Sequence, residues 1–318
     1  MMPSAENAGS EVVVIKPARV SVGVPVWRTM LWSVQREIWE NRSIYIAPAV
    51  VAGVVLLSIV YGVARHPQVL VLLAGMEPET RPNVMSIPFS AAAAFVMMTS
   101  ALVAVFYCLD ALYGERKDRS ILFWKSLPVS DTTTVLAKTA IPMVVLPAVT
   151  FVVIVVTHLL MMVIGSLLMA AHGVSAGMLW RELPLVKIDL IMLYGVIVSA
   201  LWYAPIYGWL LVVSSWAKRA TLLWALLPLF GICIIEKLAL GSGYFFEMLK
   251  YRMNGFFVPA FGIEPHQSGD GHNMHSTIRL AQLTPGTFLA TPGLWIGLVV
   301  AVLFLAAVVQ MRRYREPI

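Results

Sequence analysis

The chain has 318 residues, 59% hydrophobic and only 13% charged, with a formal net charge of +6. Soluble domains carry about 25% charged residues, so a water-facing surface around a chain of this length is excluded. The basic residues are spread over loops beside apolar runs, which fits membrane topology better than a nucleic-acid patch.

Residues 1–26 read as a flexible, loosely attached start. Glu6 and Glu11 precede the first basic residue, and no apolar core with a small-residue cleavage site follows, so a cleavable signal peptide is not expected. Residues 27–42 predict an amphipathic helix: Trp27, Leu31, Val34 and Ile38 fall at helical spacing, with Arg28, Gln35, Arg36 and Glu37 elsewhere on the wheel. Arg36, Glu37, Glu40 and Arg42 are costly inside lipid, so this helix is expected along the membrane interface, with Trp27, Trp32 and Trp39 at headgroup depth.

A membrane span needs about 20 apolar residues. Six stretches qualify, at about 44–64, 88–112, 136–166, 188–215, 220–240 and 292–311. The expected fold is therefore an all-α integral membrane protein, a single six-span domain over 43–318. With the N-terminus inside, 15 of the 23 Lys and Arg residues fall on the inner side and 8 on the outer. That bias places both termini in the cytoplasm.

The third stretch contains Pro142 and Pro147, which predict a bend, and His158 lies deeper in it. A functional role for that histidine stands against a structural hydrogen bond to a neighbouring helix, and a proton carrier is not expected without an acidic partner near it. Asp110 and Asp189 sit near the ends of spans two and four, within reach of water. In the fourth stretch Trp202 and Trp209 share one helical face and Tyr203 and Tyr207 the next. These four residues are the candidates for lining a substrate cavity, the alternative being ordinary packing between helices.

Residues 241–291 form the one sizeable outer segment. Its first part is apolar and broken by glycine, which fits a re-entrant or interface-lying piece. His266, Asp270, His272 and His275 follow without metal-site spacing, so a solvated loop is expected and no metal. Cys108 and Cys233 sit in apolar runs and read as buried, inert thiols. The sequence holds no G-x-x-x-x-G-K-[ST], no H-E-x-x-H and no G-x-S-x-G. ATP hydrolysis by a phosphate-binding loop on this chain is therefore not expected, and no cofactor is assigned to it. No acid pair stands out within a span, which disfavours an ion-coupled carrier.

The connection Gly114–Asp131, GERKDRSILFWKSLPVSD, is the most informative stretch. Its four basic residues, Arg116, Lys117, Arg119 and Lys125, mark a cytoplasmic loop. Ile121, Leu122, Phe123 and Trp124 form a run too short to span and too apolar to leave in water. Pro128 ends any helix there, and Ser130 or Asp131 can cap the next one.

Through Glu115, Arg116, Ser120, Leu122, Ser126, Pro128, Val129 and Ser130, this connection resembles the loop between spans two and three of the permease subunits of ABC exporters of the second type. Many members carry Gly-Thr before the first leucine and an acid after it; this chain has Arg119-Ser120 and Phe123. The order of interfacial helix, six spans and outer segment before the last span is also similar. The resemblance implies a cytoplasmic coupling helix that docks on a separate ATP-binding subunit. Its contact residues would be Glu115, Arg116, Asp118, Arg119, Ser120, Ile121, Leu122, Phe123, Trp124, Lys125 and Pro128. It further implies ATP and Mg on that partner, a second permease copy (identical or a close paralogue), and a bacterial inner-membrane location. The implied activity is export of an amphipathic substrate such as a lipid, peptide, antibiotic or glycoconjugate. The competing reading is a non-transporting membrane anchor that couples an ATPase to mechanical work on an envelope or maturation partner. An ATPase rate that responds to small-molecule substrates separates the first from the second.

Overall fold

The computed structural model describes residues 25–118, 129–262 and 283–314, and within them the chain is helical, with no strand. The helices are α1 (Val26–Glu40), α2 (Ser43–Arg65), α3 (Gln68–Gly75), α4 (Arg81–Asp110), α5 (Tyr113–Lys117) and α6 (Asp131–Ala140). A π-helical turn, Ile141–Val145, joins α6 to α7 (Leu146–Ala171). Then come α8 (Gly177–Glu182), α9 (Leu185–Trp202), α10 (Ala204–Trp216), α11 (Thr221–Leu240), α12 (Tyr244–Asn254), α13 (Phe257–Phe261), α14 (Pro285–Ala290) and α15 (Pro292–Tyr314).

Six helical segments are long and apolar enough to cross a membrane: 43–65, 81–117, 131–171, 185–202, 221–240 and 292–314. They coincide with the six stretches read from hydropathy, and the chain has the build of a multi-pass membrane protein. The fourth departs from expectation. Residues 188–215 are not one helix but α9 and α10, broken at Tyr203. Pro205 has no N–H to return to the carbonyl of Leu201, so the ladder stops one turn before it. In the third, the bend expected from Pro142 and Pro147 takes the form of the π turn, in which the ladder widens around two missing donors. Ser130, not Asp131, caps α6, its hydroxyl accepting from the backbone N–H of Thr133 at 3.1 Å.

The bundle has two ends. At the α1 end, α1, α5, α6 and the last turn of α15 meet over a core of Ile44, Tyr107, Cys108, Val135, Leu211 and Val308. At the α8 end, Arg81 bonds Glu182 at 2.8 Å and the carbonyl of Ala74 at 3.0 Å, tying α3, α4 and α8 together. The short helices of the outer segment fold back on α9 and α15, through Phe256, Ala260, Phe261 and Phe288 packed against Ile191, Trp202 and Leu294. The helix α11 stands apart, with Ala225 its one buried residue. Cys108 is buried and Cys233 half-buried, both free.

The amphipathic pattern of α1 works differently from its wheel. Val34 and Ile38 pack on the core. Trp27, Leu31, Trp32 and Trp39 point outward, and Glu37 is turned inward, 1% exposed. The apolar residues of this helix thus divide between two faces, and the deepest position belongs to an acid.

Candidate functional site

Two places in the bundle combine buried polar chemistry with a defined geometry. The first lies at the α1 end. Lys138 of α6 places its Nζ 2.8 Å from Glu37 Oε1 and 3.1 Å from a carboxylate oxygen of Glu115. Arg36 reaches the same two acids at 2.6 and 3.2 Å. Arg312, near the end of α15, bonds Glu115 at 2.6 Å and Asp131 at 3.1 Å. Tyr107 donates its hydroxyl to the free oxygen of Glu37 at 2.8 Å. Glu37, Lys138 and Arg312 are fully or almost fully buried. Charges so placed persist only when paired and hydrogen-bonded, and here each of the two buried acids has more than one cation. Burial alone would raise the Glu37 carboxyl; Lys138 and then Arg36 outweigh it and hold that carboxyl below its ordinary range.

Arg116 completes the corner. It donates to the carbonyl oxygens of Ser215 and Ala217 at the end of α10, where the last carbonyls of a helix favour a cation. Ser214 Oγ accepts from the backbone N–H groups of Leu112 and Tyr113, both at 3.0 Å. Glu115 and Arg116, expected on a face turned toward a partner subunit, are thus buried against their own chain. Sequence spacing could not show this, because the partners lie on other helices: Arg36 of α1, Lys138 of α6 and Arg312 of α15 for Glu115, and the end of α10 for Arg116. Asp118 is exposed. Arg119, Ser120, Ile121, Leu122, Phe123, Trp124, Lys125 and Pro128 lie outside the described residues, as do His266, Asp270, His272 and His275. Among the described residues no group of three or more His, Cys, Asp or Glu side chains is placed to hold a metal.

The second place is a cavity of about 720 Å³ between α4, the π turn and the start of α7, α9, α10 and the outer-segment helix α13. Of the four aromatic candidates, Tyr203 and Tyr207 line it. Trp202 and Trp209 do not. The break at Tyr203 ends the shared helical face, leaving Trp202 on α9 and Trp209 on α10. Trp202 is fully buried, donates to the carbonyl of Arg252 at 2.8 Å and carries the Arg252 guanidinium 4.6 Å from its ring centre. Arg252 also donates to the carbonyl of Gly293 at 3.0 Å. A side chain at Gly297 would collide with the same guanidinium, so the glycine makes room for it. Trp209 lies tilted against Phe304, with ring centres 5.9 Å apart, and donates to the carbonyl of Ala225 at 3.1 Å, holding α11 to α10.

His158 has an acidic partner after all. Its Nδ1 is 2.6 Å from Asp189 of α9, and its Nε2 is 3.0 Å from the carbonyl oxygen of Phe89 on α4. A carbonyl only accepts, so Nε2 carries a proton. The proton between Nδ1 and Asp189 then belongs to the ring or to the carboxyl, and in either case the pair is neutral as a whole. It joins α4, α7 and α9, with the imidazole fully buried and Asp189 partly exposed. Asp189 lies 31 residues from His158 and on another helix, which is why the sequence hid the pairing.

No protein-family model, curated protein or solved structure matches this chain.

Proposed function

We propose that the chain is the membrane-spanning permease subunit of an ATP-driven exporter. A separate ATP-binding subunit, carrying ATP and Mg, docks on the connection between α5 and α6, and the bundle moves an amphipathic substrate outward by alternating access. A second permease copy completes the pump. The 15-to-8 distribution of basic residues supports a cytoplasmic α1 end with both termini inside, and the bacterial inner membrane goes with the permease reading. In this setting α1 lies along the inner interface, with Trp27, Trp32 and Trp39 in the headgroup layer, and the outer-segment helices pack at the opposite interface.

The observation that carries the reading is the way Arg312 grips both ends of that connection. It bonds Glu115 on the near side at 2.6 Å and Asp131 on the far side at 3.1 Å. Glu115 in turn meets Lys138 of α6 and Arg36 of α1. A push on a segment held this way reaches α1, α4, α6 and α15 as one body, the requirement for a rigid-body transition. A plain surface loop needs no such bracing.

The test is co-purification with an ATP-binding subunit encoded beside this chain. Trp124 lies in the only apolar run of the connection, and tryptophan is enriched among interface hot spots. Trp124→Ala should weaken docking by about thirtyfold and Trp124→Asp should abolish it, with expression of the permease unchanged. Trp32→Ala should leave docking intact. Normal co-purification of Trp124→Asp, or ATP turnover by the pure chain above background, would overturn the proposal. Single cysteines at Ser120 and Ser268 should label from opposite sides of the membrane.

A further inference from the structure

The cavity beside α4 is apolar but not uniformly so. No Asp, Glu, Lys, Arg or His lines it. Its oxygen-bearing walls are Ser86, Ser90, Ser100, Thr150, Ser199, Tyr203 and Tyr207. Most of these hydroxyls are already used. Ser86 donates to the carbonyl of Asn83 at 2.7 Å, Thr150 to Leu146 at 2.7 Å, Ser199 to Val196 at 2.9 Å and Tyr203 to Met253 at 2.9 Å.

Ser90, Ser100 and Tyr207 are the exceptions. Ser100 is 6% exposed, and its Oγ is buried with no protein partner. A helical serine ordinarily returns its hydroxyl to a carbonyl one turn back; this one does not. Tyr207 is 8% exposed, and its hydroxyl likewise has no hydrogen-bond partner among the described residues. Both residues line the cavity, Ser100 from α4 and Tyr207 from α10.

The cavity is also long. From Ser86 to Ser100 it follows α4 for about 21 Å, at 1.5 Å per residue. Its mouth is a stripe along that helix, where Ile87, Ala91, Ala94, Met98 and Ala101 are exposed at alternate spacings of four and three. A helix lying along this stripe would close the mouth without reaching Ser100 or Tyr207 on the inner wall.

We infer that the cavity binds an uncharged lipid-like molecule, with a hydrocarbon body along α4 and a hydroxyl, ester or ether group held at Ser100, in a cavity whose wall Tyr207 shares. The hydroxyls can donate to such an oxygen, and Ser100 can also accept from a hydroxyl. A charged group would find no counter-ion there and must stay outside. The inference deepens the permease reading by naming the class of its cargo, and it rests on that reading only for the word cargo; the binding site stands or falls by itself.

The experiment uses the purified full chain in detergent micelles, without ATP or partner subunit. The probe is hexadecanol bearing a mid-chain photoreactive diazirine, compared with hexadecylamine bearing the same group. Peptides are mapped by mass spectrometry, and molar mass is followed by light scattering. The alcohol should label peptides of α4 and α9 saturably, with competition by plain hexadecanol, and the amine should label them at least tenfold less. Ser100→Ala combined with Tyr207→Phe should weaken labelling by about tenfold, the loss of two free hydroxyls. Ala94→Phe should remove it by filling the mouth, while the protein still elutes as one species. Three outcomes overturn the inference. They are unsaturable labelling that equally marks lipid-facing Leu57 of α2, equal labelling by the amine, and an Ala94→Phe variant that splits a dimer with labelling unchanged. Intact labelling with no ATPase docking would remove the exporter reading and keep the site. Intact docking without labelling would do the reverse.

Discussion

The polar groups buried at the α1 end and those buried in the body of the bundle solve one problem in opposite ways. At the α1 end, Glu37 and Glu115 share the cations Arg36 and Lys138, with Arg312 added. Full charges are kept and cross-braced. In the body, His158 and Asp189 stand as a single neutral pair, and the cavity offers hydroxyls only. The charged network reaches water at its rim, where Glu40 is half-exposed, whereas the fully buried His158 is matched by a single acid. Bracing also makes the α1 end mechanically stiff, and its sparing use in the body leaves room for a cavity.

The sharpest way to break this comparison is to remove a shared acid. Glu115→Ala leaves Arg36, Lys138 and Arg312 short of a counter-charge, and it should cost about 3–5 kcal/mol, read from unfolding in a denaturing detergent. A cost under about 1 kcal/mol, typical of exposed pairs, would show that the cluster is solvated and not braced.

Asp189→Leu should be milder. It removes the partner of His158 Nδ1 and leaves one buried ring nitrogen unsatisfied, a loss of about 1–3 kcal/mol in the same assay. A loss as large as that of Glu115→Ala would mean that the pair in the body is the true keystone.

Acid should act on the α1 end through Glu37. Its carboxyl is held below the ordinary range, so its stabilisation is full above the unfolded value of about 4.3 and is lost as pH falls through the lower folded value. Amide exchange in α1, corrected for intrinsic rates and referenced to α11, should accelerate below about pH 4. In Lys138→Met the main support of that lowered value is gone, and the acceleration should begin at higher pH. An unshifted profile would remove Lys138 as the cause.

The smallest effect belongs to Gly297→Ala. The added carbon meets only the tip of the flexible Arg252 side chain, which can swing aside, so less than about 1 kcal/mol should be lost. Trp202 fluorescence should still report a displaced guanidinium. A severe loss would show that Arg252 cannot move.

Hydropathy and length disclosed the six membrane-sized segments, because about 20 apolar residues in a row admit few other readings. The proline pair located the distortion in the third. What stayed hidden depends on helices meeting. Trp202 and Trp209 were assigned one face on the assumption of an unbroken helix, and Pro205 ended that helix early. Glu37 was placed among the residues unfit for burial, which is true of it alone and false beside Lys138, 101 residues away. Tyr203 and Tyr207 were legible as cavity residues. Ser100 was not, since a serine in an apolar helix carries no mark of whether its hydroxyl is satisfied.

The π turn at Ile141–Val145 has one more consequence. A wide turn holds more residues than an α turn, so it sets the rotational phase between the two halves of a 41-residue helical segment. Lys138 lies before it and must point at Glu37; His158 lies after it and must point at Asp189. Deleting one residue from the turn would re-clock one half against the other by about 100°. Either azimuth could then be satisfied, but not both, so this one loose turn is the gear that lets a single helix serve two differently aimed contacts.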